Sequence, residues 1–265
     1  MLSSDPHRAR KRFGQNFLHD KNIIAQIVAV FDADPALSIV EIGPGKGALT
    51  VPLLRKSENI HVIEIDTDLA ELLEQKCASL GQLKLHIGDA LKFDYSKIEP
   101  GPLQIIGNLP YNISTPLLFH LLNYSSNIKF MVLMLQKEVV DRICASENES
   151  EYGRLSVMIQ SRCDVEKLFS VPSGAFTPPP KVTSAVVKIS PKKLISPEIE
   201  SFVLFEKIVR QAFSQRRKTL RNALRDQVQL SCLETLSISP TARPGNLSVS
   251  DYINIANHVY DHENQ

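Results

Sequence analysis

The feature that most constrains this chain is a rhythm. Short apolar runs at residues 38–42, 61–65, 83–87, 103–106 and 130–135 alternate with segments long enough for helices, such as residues 67–80 with Gly81 just beyond. Strands separated by helix-length crossovers form βαβ units, so the pattern predicts a parallel sheet with right-handed connections. Upstream, Asp20 is placed to cap a helix whose apolar residues Ile23, Ile24, Ile27, Val28 and Phe31 recur at helical spacing. Two later β-like runs, 165–171 and 183–189, have only a Pro-rich loop between them and should pair antiparallel. The expectation is an α/β fold with a seven-stranded sheet, its last two strands forming a hairpin.

Beyond Pro191 the character changes. Pro191 and Pro197 punctuate a short polar stretch, and the rest of the chain reads as helices, beginning with residues 198–228. This predicts two domains, 1–190 and a small all-helical 191–265. A hydrophobic fraction of 43% with 22% charged residues is ordinary for a globular chain. Mean hydropathy is −0.08 and no stretch approaches the ~18 apolar residues of a spanning helix, so a cytoplasmic protein without membrane contact is expected. Cys77, Cys144, Cys163 and Cys232 are scattered, without the pairing that zinc sites use, so reduced structural thiols and no metal are expected.

Four motifs carry chemistry. The first strand runs into Glu41-Ile42-Gly43-Pro44-Gly45-Lys46-Gly47, a glycine-rich turn that opens a helix and lets a ligand approach the backbone. Such a turn alone can be purely structural, but Glu64 ends the second strand about 20 residues on, where a carboxylate can accept from both hydroxyls of a ribose. Glu41 before the turn, and GxGxG spacing rather than GxGxxG, favour S-adenosylmethionine over a nicotinamide dinucleotide. The third strand ends in Gly88-Asp89, whose carboxylate either meets the exocyclic amine of the cofactor adenine or merely caps a turn. The fold class is therefore read as Rossmann-like, of the S-adenosylmethionine-dependent methyltransferase type.

The fourth strand ends in Gly107-Asn108-Leu109-Pro110-Tyr111, the most informative stretch in the chain. An exocyclic adenine amine is a poor nucleophile because its lone pair is delocalised into the ring. Two acceptors on its hydrogens, the Asn108 side-chain oxygen and the Leu109 carbonyl, favour a more tetrahedral nitrogen with its lone pair aimed at a methyl sulfonium. Pro110 fixes the turn and the Tyr111 ring can stack on a flipped base.

Residues 176–181, Phe-Thr-Pro-Pro-Pro-Lys, form the stiff loop between the last two strands. Phe176 is a candidate for the second face of an aromatic sandwich around the base, and Lys181 for a phosphate contact. Net charge is only +1, so nucleic-acid affinity must come from placement of charge. Residues 206–226 carry seven positive and two negative side chains, and on a continuous helix Arg210, Arg217, Arg221 and Arg225 would share one face as an RNA-phosphate stripe. A second basic patch is His7, Arg8, Arg10, Lys11 and Arg12.

Together these segments resemble the ribosomal RNA adenine N6,N6-dimethyltransferase family, in its bacterial small-subunit branch. The resemblance covers nearly the whole chain: residues 11–18 (KRFGQNFL) are similar to the family's cofactor-covering segment, 108–114 (NLPYNIS) to its catalytic loop and 176–182 (FTPPPKV) to its target loop. It implies that Asn16, Leu18, Gly43, Gly45, Glu64, Asp89 and Asn108 contact S-adenosylmethionine. The implied substrate is a pair of adjacent adenosines near the 3′ end of 16S rRNA in an assembling small subunit, met by a monomer. Rival readings are a large-subunit rRNA methyltransferase of the macrolide-resistance type, a non-catalytic ribosome-assembly or nucleic-acid-binding factor on the same fold, and, more remotely, a dehydrogenase.

Overall fold

A computed structural model describes residues 15–57 and 60–264. The basic residues His7, Arg8, Arg10, Lys11 and Arg12, with Phe13 and Gly14, lie outside the described residues. Strand β1 (Phe17–Leu18) precedes helix α1 (Lys21–Phe31). As expected, Asp20 caps that helix, its carboxylate accepting from the amides of Asn22 and Ile23, and Ile27, Val28 and Phe31 turn into the core. Next come β2 (Ile39–Ile42), α2 (Thr50–Leu54), β3 (Ile60–Glu64), α3 (Thr67–Cys77), β4 (Leu83–Ile87), β5 (Leu103–Asn108), α4 (Ser114–Leu122) and β6 (Ile128–Gln136). The chain continues through α5 (Lys137–Cys144), α6 (Arg154–Gln160), β7 (Cys163–Val171), β8 (Phe176–Thr177) and β9 (Ser184–Pro191). Helices α7 (Phe202–Ser214), α8 (Leu220–Ala223), α9 (Leu230–Thr235) and α10 (Val249–Glu263) complete it.

The main sheet has seven strands in the order β4-β3-β2-β5-β6-β9-β7. Strands β2 to β6 run parallel to their neighbours, and β9 pairs antiparallel with β6. Every residue of β2 and β3 is buried, as required of central strands covered on both faces. From β2 the chain builds outward through β3 and β4, then returns to the other side of β2 with β5. The switch point of the topology therefore lies between β2 and β5, where open α/β sheets bind ligands beyond the carboxyl ends of their strands.

By contacts the chain divides into two compact units. One comprises residues up to Val140 with Glu166–Pro191; the other is Asp141–Val165 with Lys192–Gln265. The break after Pro191 falls where the sequence changes character, but residues 141–165, expected with the sheet, group with the C-terminal helices. The reason is local bonding. The Gln160 side chain donates to the carbonyls of Ile143 and Ala145, Arg216 donates to the carbonyls of Glu149 and Ser150, and the Tyr152 ring meets Phe213 edge-on.

The expected continuous helix over 198–228 is corrected. Helix α7 stops at Ser214, and α8 starts at Leu220 with its first amides donating to the carbonyls of Ala242 and Pro240. No apolar side chain occurs between Phe213 and Leu220, so no apolar contact holds that turn on the core as a helix. The arginines consequently do not form one helical face. Arg210 lies on α7, Arg217 in the turn, Arg221 on α8 and Arg225 beyond it.

Candidate active site

Because β4, β3, β2 and β5 are parallel neighbours, their carboxyl ends form one row. The sequence places Asp89, Glu64, Gly43 and Asn108 just at or beyond those ends, in that order along the sheet edge. Two cavities open there. One of about 230 Å³ is lined by Glu64, Ile65, Asp89, Leu91 and Ile113 among others; the second is lined by Asn16, Phe17, Glu41, Gly45, Asn108 and Tyr111 among others. Gly43 and Pro110 line both, so the two meet at the switch point.

The glycine turn is shaped by its backbone. Gly43 and Gly45 have φ of +65° and +55°, in the left-handed region where a side chain is strained. At Gly45 a Cβ would also press within 3.2 Å of the Phe17 ring, over which the Lys46 ammonium sits 4.8 Å from the centroid. Glu64 ties the turn to β3. Its Oε2 accepts from the Gly45 amide at 3.2 Å, while Oε1 accepts from the amides of Ile65 and Asp66, both at 2.9 Å. Burial raises its pKa against those three bonds, and it lies 5% exposed on the cavity wall. Glu64 thus has a structural duty at the glycine turn as well as a place on the cavity wall.

Asp89 caps the turn, its Oδ1 accepting from the Leu91 amide, and also lines the larger cavity. Glu41 is buried, its pKa pushed to about 7 by loss of solvent, opposed by the Thr50 hydroxyl and reinforced by the charge of Glu64. Its Oε2 is buried with no partner. An unsatisfied carboxylate oxygen of a wall residue, beside backbone opened by two left-handed glycines, fits a ligand with a cationic end such as S-adenosylmethionine.

At the fourth strand end, the Leu109 amide donates to the Met134 carbonyl across the β5–β6 ladder, and the buried Ser114 hydroxyl donates to the Pro110 carbonyl at 3.0 Å. Asn108 is oriented by a contact the sequence did not disclose: its Nδ2 donates to the Asn16 carbonyl at 3.0 Å. A carbonyl can only accept, so the amide nitrogen is assigned to that side and Oδ1 is left as an acceptor. Close strand packing also explains Gly107, where a Cβ would stand 2.7 Å from the Ile42 carbonyl oxygen.

Two of the expected residues are buried. Strand β8 pairs with β1, Leu18 opposite Phe176, which puts Phe176 at 2% exposure in the apolar cluster with Leu18, Val28 and Val171. It packs in the core cluster and lines neither cavity. Leu18 is likewise buried, though it reaches the smaller cavity. Lys181 is exposed, as are Arg210, Arg217, Arg221 and Arg225. Missed altogether was Ser184, whose hydroxyl lies 2.8 Å from that of Tyr111. A hydroxyl opening the apolar run Ala185-Val186-Val187 was the available signal.

The model of the ribosomal RNA adenine dimethylase family matches residues 6–261. The chain belongs to that family. It is 49% identical over 255 residues to the ribosomal RNA small subunit methyltransferase A of Chromobacterium violaceum, covering 96% of this chain and 97% of the relative. To its Pseudomonas aeruginosa counterpart it is 48% identical, covering 96% and 95%. Among solved structures, a dimethyladenosine transferase from Plasmodium falciparum superposes with a TM-score of 0.83 at 29% identity, over 93% of this chain and 98% of that one. The 23S rRNA methyltransferase ErmE shares the fold, with a TM-score of 0.71 at 22% identity over 92% and 100%. As a member of the dimethylase family the protein is an S-adenosylmethionine-dependent rRNA adenine dimethyltransferase. Among the described residues no helix is long and apolar enough to cross a membrane.

Proposed function

We propose that this enzyme dimethylates N6 of two adjacent adenosines in the 3′-terminal hairpin of 16S rRNA, acting as a monomer on the assembling small subunit in the cytoplasm. The observation that carries the site assignment is the Asn108 amide, held by the Asn16 carbonyl with its oxygen free to accept at the switch point of the sheet. The relatives named for the small subunit are the basis for choosing that substrate over a large-subunit one.

When bound, S-adenosylmethionine supplies an electrophilic methyl on a sulfonium. The residues proposed to hold it are Asn16, Leu18, Gly43, Gly45, Glu64, Asp89 and Asn108, with Glu64 accepting from the ribose and Asp89 from the adenine amine. Asn108 Oδ1 and the Leu109 carbonyl accept the two hydrogens of the target amine, localising its lone pair for attack. Pro110 keeps that carbonyl in place and Tyr111 offers a ring face to the extruded base. Residues 1–190 are assigned the catalysis, and 191–265 contact RNA through Arg210, Arg217, Arg221 and Arg225, with Lys181 touching phosphate from the target loop.

Nucleoside mass spectrometry tests this. Small-subunit particles from a strain lacking the gene should gain dimethyladenosine in the 3′-terminal hairpin when treated with the protein and cofactor, and large subunits should not. Modification of the large subunit, or none of either, would overturn the proposal.

A further inference from the structure

Ser184 opens β9 opposite Gln136 of β6 and is followed by Ala185, Val186 and Val187, all of them fully buried. It is itself 0% exposed. A hydroxyl taken out of water in such a strand needs a partner, since an alanine would fill nearly the same space without that demand. Its partner is the phenol of Tyr111, at 2.8 Å between oxygens. Tyr111 is half-buried on the wall of the smaller cavity, and its main-chain neighbourhood is fixed from the other side by the Ser114 hydroxyl on the Pro110 carbonyl.

An aromatic ring swings about two torsions, and only its far end can resist that motion by a directional bond. The strand supplying this bond begins directly after the loop of residues 176–183, and the Thr183 carbonyl accepts from the Lys137 amide, which fixes the entry of the chain into β9. The anchor of the phenol is therefore set by the sheet rather than by the loop that precedes it.

We propose that Ser184 is a positioning residue for methyl transfer, pinning the Tyr111 phenol so that the ring face meets the target base at one fixed angle. The proposal rests on the reading of Tyr111 as the stacking residue. It makes Ser184 act on the RNA side of the reaction only. The residues proposed to hold the cofactor are Asn16, Leu18, Gly43, Gly45, Glu64, Asp89 and Asn108, whereas the Ser184 hydroxyl bonds to Tyr111.

A double-mutant cycle with Ser184→Ala and Tyr111→Phe decides it. Tyr111→Phe keeps the ring and deletes the same bond from the other side, so it serves even where Ser184→Ala lowers stability. Each single variant should lose on the order of three- to tenfold in kcat/KM for small-subunit particles, as for one neutral hydrogen bond. The double variant should lose no more than either, and calorimetric affinity for S-adenosylmethionine should match the parent. Additive losses, parental kcat/KM in either single variant, or weakened cofactor binding would overturn the positioning role. Tyr111→Ala is measured alongside: parental activity there would remove Tyr111 from the proposed function itself, a result distinct from additivity between Ser184 and the phenol.

Discussion

The proposed catalytic loop and the basic segment after α7 are both candidate RNA-facing stretches, yet they obey different physics. From Asn108 to Ser114, side chains and main chain are tied down at several points: Asn108 to Asn16, Leu109 to Met134, Tyr111 to Ser184 and Ser114 to Pro110. From Arg216 to Arg225 the cations are exposed, with Arg216 on two carbonyls and Arg225 in a solvent-screened pair with its neighbour Asp226. A preorganised acceptor is valuable because its geometry need not change during reaction. A phosphate contact needs only charge at the right distance and tolerates rearrangement. Substitutions should therefore cost rate in the first region and salt-dependent affinity in the second.

The largest effect is expected at Asn108. Asn108→Ala should fold, bind particles normally and lose on the order of 10²–10³ in single-turnover methyl transfer, as when one transition-state acceptor is removed. Because a monomethylated amine keeps a single hydrogen, it cannot engage both acceptors. The ratio of mono- to dimethyladenosine should therefore shift too, as nucleoside mass spectrometry would record. Parental rate and product ratio would remove Asn108 from the mechanism and erase the contrast between the two regions.

Glu64→Ala comes next. It should weaken S-adenosylmethionine binding by roughly 1–3 kcal/mol, the cost of unpaired hydrogen-bonding groups. The structure sharpens this expectation. The amides of Gly45, Ile65 and Asp66 lose their acceptor as well, so thermal stability should fall alongside affinity. Glu64→Gln, which keeps an acceptor, should recover more stability than affinity. Unchanged affinity by calorimetry in the alanine variant would sink the cofactor assignment.

How much of this the sequence disclosed depends on whether the determinant is local. Strand ends followed by Gly, Asp or Asn announce themselves because backbone geometry and side-chain role sit within a few residues, and all four fall on one sheet edge as expected. The burial of Phe176 is not legible because it comes from the two-residue pairing of β8 with β1, far away in sequence and too short for any periodicity. Ser184 escapes notice for a related reason: a serine reads as polar until its partner at Tyr111 is known. A helix through 215–219 fails because charge spacing cannot stand in for packing, and no apolar residue is present there to bury.

For the basic segment, changing Arg217, Arg221 and Arg225 together to Gln should weaken particle binding by about tenfold near physiological salt and lower the slope of log affinity against log salt by roughly 2–3. Cofactor affinity should stay put. The broken helix adds a discriminating expectation. If the three act as independent phosphate contacts rather than as one stripe, single variants should each lower the slope by about one. A triple variant with the parental salt dependence would reduce the segment to a solvated surface.

The smallest expected effect separates the bodies of the strands from their ends. Along β3 and β4, His61 and His86 stack with ring centroids 5.2 Å apart and share a hydrogen bond of 2.9 Å between Nδ1 and Nε2. Such a bond needs one ring nitrogen to donate and the other to accept, so charging the acceptor breaks it. His61 is 5% exposed, and burial, then the nearby Lys84 and His86, push its pKa down to about 4. Burial and Lys84 lower that of His86 as well. A histidine whose pKa is depressed on folding binds its proton more readily when unfolded. Its contribution to stability is therefore complete above the ordinary value of 6.5 and drains away as pH falls from there toward 4, with a slope of at most about 1.4 kcal/mol per pH unit for one proton. The protein should lose thermal stability between pH 7 and pH 5, and His61→Gln should flatten that loss while starting from a lower value at pH 7, since the stacked pair is gone. Because neither histidine lines the cavities at the strand ends, cofactor affinity at pH 7 should be the same in the variant as in the parent. A pH profile of thermal stability that is identical in the two proteins would show that the pair titrates no differently folded than unfolded, and that the acid sensitivity of this sheet resides elsewhere.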